Sequence, residues 1–225
     1  DVSINEMIIL YLLKNGSFTE NDLKTFKPSV INRLDRNTSG IIVFGKSLKG
    51  LQIGSKLFKE RQAKKYYLTI VFGNIDKESD SKAYLYKDSK TNKVTITKSL
   101  PDESRNYNNK DKYELINTGI KPIMISNDNR FTLALVHLYT GKTHQIRAHL
   151  GYLGFPIIGD SKYGEREIND FFKNKYGLKN HLLHSYYLKM DVENGEMEFK
   201  CPPPDIFDDI TKDLFGDIDY GNLGI

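Results

Sequence analysis

The chain has 225 residues, 39% of them hydrophobic and 28% charged, with a formal net charge of +4, which fits a soluble globular protein able to bury a sizeable core. The single cysteine, Cys201, rules out an intrachain disulfide and points to a reducing, cytoplasmic compartment. No apolar run reaches the length of a membrane span and no secretory signal is present, so the glycosylation triplets at Asn15 and Asn37 are discounted.

The positive balance is compatible with nucleic acid, and it is unevenly spread. Beyond Pro202, Asp205, Asp208, Asp209, Asp213, Asp217 and Asp219 face only Lys212, so the remainder is more basic than the total. Lys49, Lys56, Lys59, Arg61 and Lys64 lie between Lys46 and Lys65, where an exposed helix would carry them as a solvated face.

In chain order, residues 4–13 have apolar positions at helical spacing, and residues 14–29 are polar, punctuated by Gly16 and Pro28. A turn-forming loop, Asn32-Arg-Leu-Asp-Arg-Asn-Thr-Ser-Gly40, precedes an apolar run that predicts a strand over 41–44. Ser47 is placed to cap a helix over roughly 48–61, with Leu48, Leu51, Leu57 and Phe58 as its apolar stripe. Residues 66–72 are rich in β-formers and end at Gly73. Residues 74–130, rich in Asn, Lys, Asp and Ser, predict a peripheral hairpin region with strand pieces at 93–97 and 112–116. A strand is expected over 131–138, a turn at Thr140-Gly-Lys142, a helix over 143–153 and a loop over 155–160. A helix over 165–176, a strand over 184–192, the break at Pro202-Pro-Pro204 and a short acidic helix complete the chain. Strands and helices in this irregular order predict one α+β domain with a mixed sheet.

The candidate chemistry starts at Asp35, which sits between Arg33 and Arg36. A carboxylate held beside cations in a rigid loop is kept in its charged form, which is how a nucleophile or base is prepared. A surface ion pair in a turn is the plainer reading of those residues alone. Thr140-Gly-Lys-Thr-His-Gln-Ile-Arg-Ala-His149 gathers Lys142, Thr143, His144, Gln145 and Arg147 near a helix N-terminus, where backbone donors and cationic side chains suit a phosphate or carboxylate. A capped amphipathic helix with a polar face explains the same residues equally well. In Lys65-Tyr66-Tyr67 an aromatic ring could stack on a base, and strand alternation allows only one of the two tyrosines to face the site.

Gly40-Ile-Ile-Val-Phe-Gly-Lys-Ser47 spells the letters of a phosphate-binding P-loop, but its inner residues favour extended, buried backbone rather than a curl around phosphates. His144 and His149 are five apart and point to different helix faces, and His181 and His184 have no completing ligands, so no metal is expected.

Together and in this order, the segments resemble the RluA family of RNA pseudouridine synthases. The resemblance rests on Arg33-Leu-Asp-Arg-Asn-Thr-Ser-Gly40, Lys65-Tyr-Tyr67 and Gly141-Lys-Thr-His-Gln-Ile-Arg-Ala-His149, followed by Gly159-Asp-Ser-Lys-Tyr-Gly164 and Leu183-His-Ser-Tyr-Tyr-Leu188. The family commonly has His before its Arg-Leu-Asp, whereas this chain has Asn32. That departure leaves the carboxylate untouched and bears only on its neighbour's role.

The resemblance implies a pseudouridine synthase fold, α+β with a mixed, mainly antiparallel central sheet and flanking helices. It implies a single catalytic domain over 1–225, without the RNA-binding domain that often precedes it in relatives; a start at Asp1 rather than Met fits a trimmed N-terminus. By resemblance Asp35 is the catalytic aspartate, Tyr67 stacks on the target uracil and helps remove a proton, and Arg147 pairs with the aspartate. Arg33 fills the gap left by the flipped nucleotide, and Arg36, Lys65, Lys142, His144 and Gln145 join it as RNA-binding candidates. The implied reaction detaches uracil, turns it and reattaches it through C5, with no metal or organic cofactor. The implied partner is RNA, ribosomal RNA by family habit with transfer RNA open, and a monomer is the default.

Overall fold

The computed structural model describes residues 2–88, 90–91, 93–100, 113–193 and 195–225. Its centre is one sheet in the order β10-β9-β4-β8-β7-β5-β6, in which every neighbouring pair is antiparallel. The strands are β4 (Lys64–Phe72), β5 (Ser79–Lys87), β6 (Val94–Thr97), β7 (Tyr113–Ile125), β8 (Phe131–Leu138), β9 (Leu183–Val192) and β10 (Gly195–Lys200). A two-residue strand, β2 (Ser39–Gly40), pairs in parallel with β9 at His184 and Ser185, which makes the sheet mixed but mainly antiparallel. β1 (Ser29–Val30) and β3 (Phe44–Gly45) form a separate small ladder.

Strand alternation divides the core between the two faces of the sheet. One face carries Leu68 and Ile70 of β4 with Leu133 and Leu135 of β8. Phe172 of α5 (Arg166–Tyr176) and Phe207 and Ile210 of α6 (Asp205–Phe215) cover it. The other face carries Tyr67, Val71, Ala134 and Val136, covered by Ile146 and Leu150 of α4 (Gln145–Tyr152) and by Leu34 of the Asp35 loop. The catalytic candidates and α4 therefore share one face.

Local signals explain the helices. α1 (Ile4–Lys14) opens with a capping box between Ser3 and Glu6, and α3 (Leu48–Lys59) with the Ser47 hydroxyl accepting from the Gly50 N–H. α2 (Glu20–Thr25), in the stretch expected to be irregular, starts with a second capping box, Thr19 with Asp22. Leu48, expected in the apolar stripe of α3, is 59% exposed, while Leu57 is buried.

Two sequence expectations are corrected. The strand expected at 41–44 is absent: β2 ends at Gly40 and β3 begins at Phe44, and Ile41 and Val43 pack as half-buried side chains against Leu57 and Leu188. The described part of the region expected to be a peripheral hairpin forms the outer end of the central sheet, β5 and β6, and joins it through the 13-residue β7, which lies between β8 and β5. The piece expected at 93–97 is β6; of that expected at 112–116, residues 113–116 open β7 and 112 lies outside the described residues. Both glycines of the P-loop look-alike have packing reasons. A Cβ at Gly40 would lie 2.2 Å from the Ser185 carbonyl oxygen, and one at Gly45 would lie 2.7 Å from the Leu51 Cα.

Candidate active site

The Asp35 loop is fastened to β9 and to itself. Gly40 adopts φ +109°, a left-handed conformation open to glycine, and its missing side chain lets β2 close on Ser185. The Thr38 hydroxyl lies 2.9 Å from His181 Nε2, and the Ser39 hydroxyl 2.8 Å from His184 Nδ1. His184 Nε2 lies 2.9 Å from the Cys201 carbonyl, which can only accept; Nε2 therefore donates, and Nδ1 of the neutral ring accepts from Ser39. Asn32 closes the loop at its base. Its Oδ1 accepts the Val43 N–H at 2.7 Å, and its Nδ2 donates to the Ile41 carbonyl at 3.3 Å.

Asp35 finds its cation far away in the chain. Arg147 Nη1, from buried α4, donates to Asp35 Oδ2 at 3.3 Å; the two side chains are 8% and 23% exposed. Neither Arg33 nor Arg36 forms an ion pair among the described residues, so the plain reading of a local surface pair does not hold. Arg147 is itself gripped by Asp160, with Nε donating to Oδ2 at 2.7 Å and Nη2 to Oδ1 at 3.0 Å. Such a two-pronged contact fixes the plane of the guanidinium as well as its position. Asp160 is fully buried, and Oδ1 also accepts the N–H groups of Lys162 and Tyr163. Burial pushes the Asp160 carboxyl up, but the hydrogen bonds and charge of Arg147 outweigh it and hold it below the usual range. The guanidinium lies 5.5 Å from the Tyr163 ring centre, and Tyr163 Oη is 3.0 Å from His144 Nδ1.

A cleft of about 550 Å³ opens beside this group, with Arg33, Asp35, Lys65, Tyr67, Lys142 and Gln145 in its wall. Tyr67 is only 6% exposed, and burial pushes its phenol up to about 12 even though Ser185 hydrogen-bonds it. At neutral pH it is a neutral ring with a proton to share. Tyr66 points to the opposite face and stacks on His137 at 4.4 Å between ring centres. Lys65 is half-buried with its amine 5.6 Å from the Phe58 ring centre; burial, helped by the charge of Arg61, lowers its pKa.

The other candidates are placed differently. Lys142 pairs with Glu114. Gln145 is buried and tied internally, accepting from the Thr140 hydroxyl and Lys142 N–H and donating to the Asn117 carbonyl and the Thr118 hydroxyl. His144 caps α4 in a left-handed conformation, φ +52°, so the helix starts two residues later than expected. Arg36 is exposed and lies outside the cleft wall. Asp160, Asn32 and Ser185 carry the support of the site without having been assigned a role from sequence. Among the described residues no group of three or more His, Cys, Asp or Glu is placed to hold a metal. The arrangement is a carboxylate, open to a cleft and aligned by a buried cation, beside an aromatic ring and under a basic rim. Such a site suits a planar base carried on an anionic backbone.

A family model described as RNA pseudouridylate synthase matches residues 14–152. The ribosomal large subunit pseudouridine synthase D of Borreliella burgdorferi is 31% identical over 192 residues, covering 85% of this chain and 52% of that protein. The ribosomal large subunit pseudouridine synthase C of Buchnera aphidicola subsp. Baizongia pistaciae is 34% identical over 161 residues, covering 69% and 46%. The chain thus spans about half the length of these curated relatives. The solved structure of human RNA Pseudouridylate Synthase Domain Containing 1 has the same fold, with a TM-score of 0.68 at 21% identity over 91% of this chain and 77% of that one. On the matched model and these relatives, the chain belongs to the RNA pseudouridylate synthase family.

Proposed function

We propose that this chain converts uridine to pseudouridine in RNA, with Asp35 as the catalytic carboxylate. The observation that carries the reading is the alignment of Asp35 by Arg147, and of Arg147 by Asp160, at the wall of a cleft that also holds Tyr67. In the reaction the bond from C1′ to N1 breaks, the uracil turns, and C5 bonds to C1′. C5 then gives up its proton and N1 takes one, so no atom is gained or lost. Asp35 acts on the ribose or base as the first bond breaks. Tyr67, a neutral phenol at physiological pH, serves as a platform and hydrogen-bond donor rather than a ready base.

The target nucleotide must leave its stack before a side chain reaches C1′, which costs a few kcal/mol. A ring such as Tyr67 returns about 1–3 kcal/mol by stacking, and Arg33, exposed at the rim, fills the vacated space. Lys65 and Lys142 in the cleft wall meet the phosphates. Asp35→Asn keeps the fold and RNA binding and releases no tritium from RNA carrying 5-tritiated uridine. Retained release by that variant would sink the assignment and favour an RNA-binding module without catalysis.

For the substrate we infer large-subunit ribosomal RNA, met in the cytoplasm by a monomer. The support is the function for which the Borreliella and Buchnera relatives are named. A transfer RNA target has its own relative, the tRNA pseudouridine synthase C of Haemophilus ducreyi, 32% identical over 161 residues. A pseudouridine map of cellular RNA with and without the protein decides between them.

A further inference from the structure

A second cavity, of about 490 Å³, adjoins the cleft and shares Arg61, Leu138 and Tyr139 with it as a common wall. The charged side chains in its wall are Arg61, Lys64 and Lys82, with no carboxylate among its lining residues. All three cations are exposed, and none forms an ion pair among the described residues. Tyr139 offers the aromatic surface. It is 36% exposed, backed by the His137 ring at 3.9 Å between centres, and anchored by its hydroxyl donating to Asp80 at 3.3 Å. Gly119 stands against it, where a Cβ would come within 3.2 Å of the Tyr139 ring. The Asn117 side-chain oxygen, in the same wall, is buried without a hydrogen-bond partner.

Arg61 adds an independent observation. It follows α3 at the position that closes the helix, its N–H donating to the Phe58 carbonyl and the next N–H, of Gln62, to the Leu57 carbonyl. This closing pattern puts one residue in the left-handed region, usually glycine. Here that residue is an arginine at φ +61°. The conformation is unfavourable for any residue with a Cβ, and the guanidinium makes no ion pair that would compensate it. The left-handed turn sets this cation at the junction of the two cavities.

We propose that this second pocket takes a nucleotide adjoining the flipped uridine, its base laid on Tyr139 and its phosphates held by Arg61, Lys64 and Lys82. The inference rests on the reading of the main cleft as an RNA site. It makes Arg61 the link between the two nucleotides, and it gives the enzyme a handle on single-stranded RNA next to the target.

The test is fluorescence anisotropy with a fluorescein-labelled oligouridylate octamer across a salt series. Tyr139→Ala weakens binding roughly 5- to 150-fold, the share of one stacked base. Its salt slope stays as in the wild type. Lys64→Ala with Lys82→Ala, and separately Arg61→Gly, lower the slope of log affinity against log salt by about 0.7 for each phosphate left without its cation. Arg61→Gly also melts at the same or a higher temperature than the wild type, since glycine suits its backbone, which separates weakened binding from weakened folding. Unchanged affinity in Tyr139→Ala together with unchanged slopes in the lysine and arginine variants overturns the pocket and leaves the main cleft standing. Failure of the wild-type chain to bind the octamer overturns both.

Discussion

Arg147 Nη1 stands 3.3 Å from Asp35 Oδ2, joining side chains 112 positions apart. The contact is the outer end of a relay whose inner end is the buried carboxylate of Asp160. The orientation of this half-buried acid is therefore set inside the protein, on a carboxylate with no exposed surface.

Loosening the inner end should disable the outer one. Asp160→Asn removes a charge that compensates a buried guanidinium, and breaking such a pair costs about 3–5 kcal/mol. Denaturant unfolding reads that loss. Arg147→Lys keeps the charge but cannot span both carboxylates, and a misplaced catalytic group costs on the order of 10²-fold in rate. Single-turnover kinetics on tritiated RNA checks it; a lysine variant within a factor of two of wild type would refute the relay.

If Asp35 is the catalytic carboxylate, Asn32 positions it through the base of the loop. Asn32→Ala leaves the Val43 N–H and the Ile41 carbonyl without their partner, at about 1–3 kcal/mol. The expected signature is a fall in kcat larger than any rise in KM, because the lost hydrogen bonds hold the loop while the side chain is only one of many in the cleft wall. Equal losses in both constants would argue for direct substrate contact.

Gly40→Ala should be among the most damaging small substitutions in the chain. The new Cβ would meet the Ser185 carbonyl at 2.2 Å, and φ +109° is closed to alanine. A loss of more than about 1 kcal/mol in stability is expected, together with activity, because β2 cannot close on β9. Thermal melting and tritium release are the two readouts.

Acidification should unfold the chain through its buried histidines. Burial lowers His149 to about 4, and burial with the charge of Arg147 lowers His181 to about 4. Each is neutral when folded and takes up a proton near pH 6.5 when unfolded, so the unfolded state binds more protons and stability rises with pH. Between pH 7 and pH 5 each should remove on the order of 2 kcal/mol. Asp160 acts lower down: its depressed carboxyl contributes stability above about pH 4 that is lost as pH falls through its folded value. Urea midpoints from pH 4 to 7 check this, and His181→Gln should flatten part of the slope.

The sequence was most legible where periodicity is strong. The apolar spacing of α1, the Ser47 cap of α3 and the continuous apolar run of β8 each match an element of the structure. β5 is hard to see because its Ser, Asp and Lys resemble loop composition, and β7 is legible only at its start because Asn117, Thr118, Gly119, Lys121 and Pro122 interrupt its apolar run. α2 was missed although Thr19 and Asp22 spell a capping box, because it is six residues long and buries no side chain. β10 alternates Met197 and Phe199 with Glu196, Glu198 and Lys200, but the pattern is only six residues long and all of it is exposed. The run at 41–44 read as a strand because burial against α3 and β9 imposes the same apolar composition as a ladder does.

The site divides the same way. Asp35, Tyr67 and Arg147 were visible through motifs at family spacing, and the fold puts Asp35 and Tyr67 in one cleft wall with Arg147 behind Asp35. Asp160 sits in one of those motifs, yet nothing local tells that a loop acid will grip an arginine 13 residues earlier. Asn32 was seen only as a departure, since its partners are backbone atoms that sequence does not label.

The bond between β2 and β9 also bears on time. The Ile41 N–H donates to the Ser185 carbonyl at 3.0 Å, and Thr38 and Ser39 are tied to histidines on or beside the same strand. A segment tied by backbone and side-chain hydrogen bonds to a sheet strand frays less than a free loop, so the Ile41 amide should exchange with solvent more slowly than exposed loop amides. The aspartate then waits on a stationary mount. On the proposed reading, the nucleotide does the travelling and the cost of reorganisation falls on the RNA.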